Sequence, residues 1–238
     1  MHAKGAFSVV VLLAGAASFV GQAAAQTFVE HSSETRFQLD FVVPDAALKK
    51  MLPEGWEPAV ATAGPAKDCN LRMIFMDRVD ITGKDGAPTG TNQMVYLAIP
   101  IKKTGTDIAG QMIIGGLTAD AKDVPGPFGV YQAATSHSMT RSFSAAAGQP
   151  IQGEENWSFT AASGEHMEAH VKYERGVARK IGAEVKFFSA ANPSFYQIFK
   201  IEQGLDIMRN ATVKVPDHVK EFSYKAGGGK IGALFDGT

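Results

Sequence analysis

Two runs of apolar residues constrain the fold of this chain most. Residues 71–79 and 94–101 place apolar side chains on both faces of an extended backbone. A strand that faces water on one side alternates apolar and polar residues, whereas a strand covered on both sides does not. The two runs therefore predict strands inside a closed or covered sheet with apolar side chains on each face.

Shorter strand-like segments occupy most of the remaining chain. In residues 37–43 apolar side chains alternate with polar ones, which is typical of a half-buried strand. A short helix is predicted at residues 46–52, stopped by Pro53, and polar turns are predicted at residues 83–86 and 88–90. Further strands are predicted at residues 111–117, 130–135, 157–160, 167–173, 183–188, 196–201 and 212–215.

The N-terminus predicts a cleavable secretory signal. Lys4 precedes an uncharged stretch at residues 5–20, and Ala23 and Ala25 occupy the two small-residue positions before a cleavage site. A membrane anchor would need about 20 apolar residues, and no later stretch is long and apolar enough to span a bilayer. We therefore expect a signal peptide at residues 1–25 and a periplasmic or secreted mature protein beginning at Gln26.

The composition of the mature chain excludes some partners. Its 213 residues carry 22 basic and 24 acidic side chains, so nothing predicts a basic face for nucleic acid or an anionic membrane. Cys69 is the only cysteine, so no intrachain disulfide supports the fold, and a hydrophobic core must. Beside an apolar strand, Cys69 is interpreted as a small buried hydrophobe rather than a nucleophile.

These patterns predict the fold class. No internal repeat, linker or domain boundary is visible, so residues 26–238 are expected to form a single domain. Many strands and few helices predict a mainly-β domain: a β-barrel, or a strongly curved antiparallel sheet with a few short helices.

Several phrases resemble acetoacetate-decarboxylase-like proteins. They occur in the family's order, and they are Val43-Pro44-Asp45, Leu52-Pro53-Glu54-Gly55-Trp56-Glu57-Pro58, residues 70–77, residues 96–100, Asn192-Pro193-Ser194-Phe195 and Leu234-Phe235-Asp236-Gly237. The resemblance implies a cone-shaped β-barrel with an enclosed, largely apolar pocket, often in an oligomer.

The chain departs from this family at the family's reactive lysine. The decarboxylases carry Gly-Arg-Glu and then Gly-aromatic-Pro-Lys, whose lysine forms a Schiff base with a keto acid. The matching stretch, residues 124–132, keeps glycines and Phe128 but continues with Val130, Tyr131 and Gln132. The usual reaction is therefore not expected, and Phe128, Tyr131 and Gln132 are interpreted as ligand-binding residues of the pocket wall.

Another lysine is the first alternative for a catalytic role. Lys102 and Lys103 are adjacent, but they lead into a polar turn and are interpreted as a solvated hairpin tip. Lys122 lies just before the glycine-proline phrase and is the better candidate for a relocated Schiff-base lysine.

His137 and Arg141 are the second catalytic candidates. If their segment is extended, the two side chains share a face. An arginine can hold a substrate carboxylate with two hydrogen bonds, and a histidine can transfer a proton. The alternative is a polar loop rich in serine and threonine.

His166, Glu168 and His170 would share one face of a strand. Two imidazoles and a carboxylate form the ligand set of some iron and zinc sites. Alternate residues of one strand spread over about 13 Å, however, which is too far to bind one ion unless the strand bulges. The same face continues into other charged residues, so a solvated strand face is favoured and no metal is expected.

Two function classes remain open. The first is an exported protein that binds a small, mostly apolar ligand with a carbonyl or carboxylate group in an enclosed pocket. The alternative is a carbon–carbon lyase, decarboxylase-like or aldolase-like, that acts on a keto acid or related carbonyl compound. No cofactor is expected for either class, and a homo-oligomer is a possibility that the resemblance implies.

Overall fold

A computed structural model describes residues 27–64, 66–206 and 218–236. The predicted signal peptide at residues 1–25, and the strand predicted at 212–215, lie outside these residues. The described residues form eleven strands and two short α-helices. They are β1 (Glu30–Phe41), α1 (Asp45–Lys49), β2 (Trp56–Pro58), β3 (Leu71–Gly83), β4 (Pro88–Lys103), β5 (Ala109–Thr118), β6 (Tyr131–Ser144), β7 (Gln152–Ala161), β8 (His166–Glu174), β9 (Arg179–Ser189), β10 (Tyr196–Leu205), β11 (Val219–Gly227) and α2 (Gly232–Phe235).

All eleven strands belong to one curved sheet. Its main path runs β1-β3-β4-β5-β6-β7-β8-β11, with β2 added to β4 and with β9 and β10 added to β5. The sheet is not closed by hydrogen bonds between the described parts of β1 and β11, although the rings of Phe41 and Tyr224 meet there with centroids 5.1 Å apart. The predicted mainly-β domain with a strongly curved sheet and few short helices is confirmed.

The sheet forks at β5. Near its C-terminal end, β5 pairs in parallel with β6 through Gly116, Leu117 and Thr118. Near its other end it pairs in parallel with β9, where Gln111 lies opposite Phe187. Because two different strands share one edge of β5, β6 and β9 begin separate branches of the sheet.

The inner face of the sheet holds the larger core. Phe75 on β3 lies 5.7 Å, between ring centroids, from Trp157 on β7, although three strands separate β3 and β7 along the sheet. The sheet must therefore curl until its two halves meet. The enclosed residues include Leu71, Met73, Leu97, Ile99, Phe159, Met167 and Leu234.

A second core covers the outer face of β3, β4 and β5. Ile74, Met76 and Tyr96 point to this side, where they pack with Phe128, Tyr131 and Phe187. The prediction that the two apolar runs are covered on both faces is confirmed for residues 71–76 and 94–101, whereas Val79, at the end of the first run, is exposed. In contrast, β7 and β8 alternate buried and half-exposed residues, because their outer face is not covered in the same way.

Some local predictions differ from the structure. The helix spans Asp45–Lys49 and is followed by a turn at residues 50 and 51, so it ends before the predicted Leu52. Helical backbone angles are disfavoured for the residue before a proline, so Leu52 cannot readily extend the helix. Residues 88–90 begin β4 instead of forming a turn. Cys69 is half-buried, and this partial burial raises the pKa of its thiol. No helix among the described residues is long and apolar enough to cross a membrane.

Candidate functional site

A cleft of about 370 Å³ opens at the rim of the inner face. It lies between the middle of β3, the start of β4, the segment after β5, and β6. We call it the rim cleft, and its lining residues are Asp77, Thr91, Asn92, Gln93, Ala119, Asp120 and His137. Six of the seven lining residues are polar, which places amide, carboxylate and imidazole groups within one small volume.

Strand pairing explains how β6 contributes to this region. In the ladder between β6 and β7, His137 lies opposite Phe159 and Arg141 lies opposite Glu155. Alternate residues of a strand share a face, so His137 and Arg141 both project to the inner side. The segment is therefore a strand and not a polar loop. His137 remains exposed, and its ring stacks on Phe159 with centroids 6.1 Å apart.

A largely buried network of polar groups adjoins the rim cleft. The Nε atom of Arg141 lies 3.1 Å from Oε1 of Glu155, and its Nη1 atom lies 3.5 Å from Oδ2 of Asp77. Glu155 also accepts hydrogen bonds from the Trp157 indole, at 3.0 Å, and from the Tyr173 hydroxyl, at 2.8 Å. One guanidinium thus faces two carboxylates, which leaves it little capacity to bind an anionic ligand.

Tyr173 and Gln93 complete the network. Burial, followed by the hydrogen bond to Glu155, raises the pKa of Tyr173 above its usual value, so its hydroxyl remains a donor at neutral pH. The Gln93 amide donates to Asp77 over 3.4 Å. The network therefore orients Asp77 and Gln93 at the boundary between the rim cleft and the protein interior.

Phe128 and Tyr131 lie on the opposite side of the sheet, in the outer core. Tyr131 is buried, and burial raises the pKa of its hydroxyl. Gly126 has a φ of +68°, and a Cβ atom there would lie 2.4 Å from the Tyr131 ring. The glycine of the glycine-proline phrase is therefore required for the packing of Tyr131.

The remaining predicted residues are dispersed. Gln132 donates a hydrogen bond to buried Glu165, which also accepts one from the Lys230 backbone. The Lys122 side chain is 88% exposed and lies 3.8 Å from Asp120. The structure thus brings His137 and Arg141 to one face but does not join them to Phe128, Tyr131 or Lys122.

Lysines in the described residues are solvated. Thirteen of them are exposed, and the remaining one, Lys172, has a side chain that is 40% exposed and paired with Glu221. A lysine becomes an effective Schiff-base nucleophile through desolvation or a neighbouring cation. None of the described lysines is buried, so none is desolvated in this way.

His166, Glu168 and His170 face the outer side of β8 and contact three different partners. His170 lies 3.0 Å from Glu154, Glu168 lies 3.9 Å from Lys225, and His166 lies 3.2 Å from the Gly164 carbonyl. Within the parts of the chain that the structure describes, no three histidine, cysteine or acidic side chains are placed to hold one metal ion.

Sequence reasoning did not identify Asp77, Gln93 or Glu155. A weak signal existed for Asp77, because it continues the inward alternation of Leu71, Met73 and Phe75 with a charged residue. A charge at an inward position indicates a buried partner or a site. The sequence alone did not reveal that this partner is Arg141, 64 residues away.

Comparison with known proteins gave matches among solved structures. No family model matches the chain, and no curated protein matches it. The enduracididine biosynthesis enzyme MppR, in complex with pyruvate, is 14% identical, with 86% of this chain and 87% of that chain covered and a TM-score of 0.47.

Two other structures carry the family name suggested by the sequence phrases. An acetoacetate decarboxylase-like enzyme from Sphingomonas wittichii RW1 is 13% identical over 90% of this chain and 86% of that chain, with a TM-score of 0.46. The acetoacetate decarboxylase from Legionella pneumophila is 12% identical over 94% and 93%, with a TM-score of 0.42. At these identities the likeness concerns the fold alone.

Proposed function

We propose that this protein is an exported small-molecule-binding protein, and that it holds a carbonyl-containing ligand in the rim cleft. The observation that carries this proposal is the convergence of Asp77, Gln93 and His137 on one cleft of about 370 Å³. An amide and an imidazole can each donate a hydrogen bond to a carbonyl oxygen, and a few placed polar groups are typical of small-molecule sites.

The charges around the rim cleft favour a neutral ligand. Asp77 and Asp120 belong to its lining, which contains no lysine or arginine. Arg141 lies behind Asp77 but already faces both Asp77 and Glu155. A ligand carboxylate would therefore approach two negative groups without an uncompensated cation, whereas a ketone, ester or amide carbonyl would not incur this repulsion.

The aromatic filling of the inner face favours binding at the rim. Phe75 and Phe159 are fully buried, and Trp157 is nearly so, in the middle of the curled sheet. The solvent-facing side of the His137 ring, whose other side rests on Phe159, offers a flat surface for the apolar part of a ligand. The ligand thus binds at the mouth of the sheet and not deep within it.

Binding is favoured over lyase chemistry by the state of the candidate catalytic groups. Lys122 is solvated, and the Arg141 guanidinium is held by two carboxylates. A Schiff-base lyase needs a desolvated or otherwise activated amine, and a His–Arg lyase needs a free cation for the substrate carboxylate.

Export is supported by the order of charge, apolar segment and small residues in positions 1–25.

Calorimetric titration with matched ligands tests the proposal. Native mass spectrometry of protein purified from its host would first identify the carbon skeleton of any bound ligand. The methyl ester and the free acid of one such skeleton should then differ, with the ester binding about tenfold more tightly. The substitution His137→Ala should weaken ester binding, whereas His166→Ala, on the outer face of β8, should not.

Two results would contradict this function. Equal affinity for the ester and the acid would show that the acidic lining does not select the ligand. Equal binding by the His137→Ala and His166→Ala variants would show that the ligand does not occupy the rim cleft.

A further inference from the structure

The ribbon formed by β9 and β10 projects from the fork of the sheet. All ten residues of β10 pair with β9, and β10 hydrogen-bonds to no other described strand. Only Phe187, Phe188 and Ser189 at the end of β9 pair with β5. Most of the ribbon is therefore a two-stranded unit, and such a unit is marginally stable in water without further partners.

The ribbon has one apolar face and one charged face. Alternation places Ile181, Ala183, Val185, Phe199, Ile201 and Leu205 on the mainly apolar side, which also carries Gln197, Gln203 and Arg179. Val185 and Phe199 reach the outer core, but the other four apolar side chains are not among its residues. The opposite side carries Lys180, Glu184, Lys200 and Glu202.

The free edge of β10 differs from the other long free edges of the sheet. The ladders of β1, β6 and β11 each contain a register shift, the irregularity with which proteins commonly protect exposed edges. The β9–β10 ladder runs through ten consecutive pairs without a shift, and β10 contains no proline. The outer edge of β9 is blocked from Phe187 onward by β5, whereas no strand among the described residues pairs with the outer edge of β10.

We propose that two copies of this chain associate through antiparallel pairing of β10 with β10, centred on Ile201. A two-fold axis at Ile201 places Lys200 of each copy opposite Glu202 of the other, which makes two favourable cross-strand charge pairs. Centring the axis on Lys200 or on Glu202 would instead place like charges opposite each other. Among these three registers, the charge pattern favours the one centred on Ile201.

The pairing also improves the environment of the ribbon's apolar face. Joining the two ribbons produces a four-stranded sheet whose mainly apolar side has Ile201 of both copies at the axis, with Phe199 of each copy opposite Gln203 of the other. Three or more strands with one hydrophobic face form a far more stable unit than two strands do. The association is independent of ligand binding at the rim cleft.

Sedimentation of the full-length mature protein tests this inference with two charge variants. In Lys200→Glu alone, two glutamates would face each other across the axis, and in Glu202→Lys alone, two lysines would. Each variant should dimerise about tenfold more weakly than the wild type. An equimolar mixture should recover the dimer, because positions 200 and 202 are both glutamate in one chain and both lysine in the other. Each variant has the same sequence alone and in the mixture, so mixing would not repair a folding defect. Recovery of the dimer would therefore report on the charge pairing itself.

A disulfide test checks the register. In a Cys69→Ala background, Ile201→Cys should form an interchain disulfide on mild oxidation, because directly opposed residues of antiparallel strands lie within disulfide distance. Ser223→Cys, at an exposed position on the edge strand β11, should form no interchain disulfide under the same conditions. A monomeric wild type, failure of the mixture to dimerise, or equal cross-linking at positions 201 and 223 would each overturn the proposal.

Discussion

Arg141 and Glu155 face each other across the ladder between β6 and β7, with Nε of the arginine 3.1 Å from Oε1 of the glutamate. Both side chains point to the inner face, and Glu155 is buried. The pair forms part of the wall behind the rim cleft. Arg141, which the sequence suggested as a binder of a ligand carboxylate, therefore already has carboxylate partners within the chain.

Replacing Glu155 with glutamine should destabilise the protein by about 3 kcal/mol, because it removes one partner of a largely buried ion pair and leaves the guanidinium undercompensated. Urea denaturation at pH 7 measures the effect. Glu154→Gln is the matched control, since that side chain is 41% exposed and contacts His170 on the outer face. Its effect should be within about 0.5 kcal/mol. Equal losses for the two variants would remove Glu155 from the stabilising network.

The substitution Phe75→Ala should lower the free energy of unfolding by about 3–5 kcal/mol. Phe75 is fully buried and contacts the rings of Phe37, Trp157 and Phe159, so its removal leaves a cavity where the two halves of the sheet meet. Phe143, which is 51% exposed, provides the control substitution Phe143→Ala. An unchanged denaturation midpoint for Phe75→Ala would show that the curled sheet does not pack through this residue.

The two-sided burial of β3 and β4 was predictable because it depends on local pattern. Their apolar runs permit no solvated face, whatever the neighbouring strands are. Of the core residues that the predicted strands supply, Leu71, Met73, Phe75, Tyr96, Ala98 and Phe187 are buried, and Phe199 is only half-buried because it lies on the projecting ribbon. In contrast, β11 was missed because its register shift between Val219 and Glu221 interrupts the alternation.

The composition of the site was less predictable, for two physical reasons. Tyr131 and Gln132 are consecutive in a strand, so they point to opposite faces and cannot line one pocket. This consequence was available from the sequence once a strand was assumed. The contact between Asp77 and Arg141 could not be predicted from the sequence, because it depends on how far the sheet curls to bring β3 against β6.

Borohydride trapping with a keto acid should give no stoichiometric covalent adduct. The described lysines are solvated, and Lys122 has its side chain 88% exposed, so none is desolvated in the way that favours imine formation. Intact-mass spectrometry after reduction measures the adduct. Lys122→Ala should leave the spectrum unchanged, as should Lys230→Ala, an exposed lysine elsewhere. A single adduct lost only in Lys122→Ala would revive the lyase function.

The exported protein should begin at Gln26. Ala23 and Ala25 supply the small residues that precede signal cleavage, and the charge and the apolar segment occur before them in the expected order. Intact mass of protein recovered from the periplasm or the medium checks this. The substitution Ala25→Arg should block processing, whereas Gln22→Ala should permit it. Recovery of mature protein that retains Met1 would contradict both cleavage and the proposed location.

Tyr96 makes the stability of the protein sensitive to alkaline pH. Its hydroxyl is buried without a hydrogen-bond partner among the described residues, and burial raises the pKa of Tyr96 to about 12. The unfolded chain, with a tyrosine pKa of about 10, loses this proton first as the pH rises. The contribution of Tyr96 to stability is therefore complete below pH 10 and is lost between about pH 10 and 12, by about 1 kcal/mol at pH 11.

Replacing Tyr96 with phenylalanine should have two effects on stability, one at neutral pH and one at alkaline pH. At pH 7 the variant should be about 1 kcal/mol more stable, because it no longer buries an unpaired hydroxyl. Between pH 9 and 11 its free energy of unfolding should fall less steeply than that of the wild type, because one group with a raised pKa is gone, while Tyr131 and Tyr173 still contribute. Urea denaturation at pH 7, 9 and 11 measures both effects, with exposed Tyr224→Phe as the control. If Tyr96→Phe and the wild type lose stability equally from pH 9 to 11, the Tyr96 hydroxyl is not buried in its neutral form.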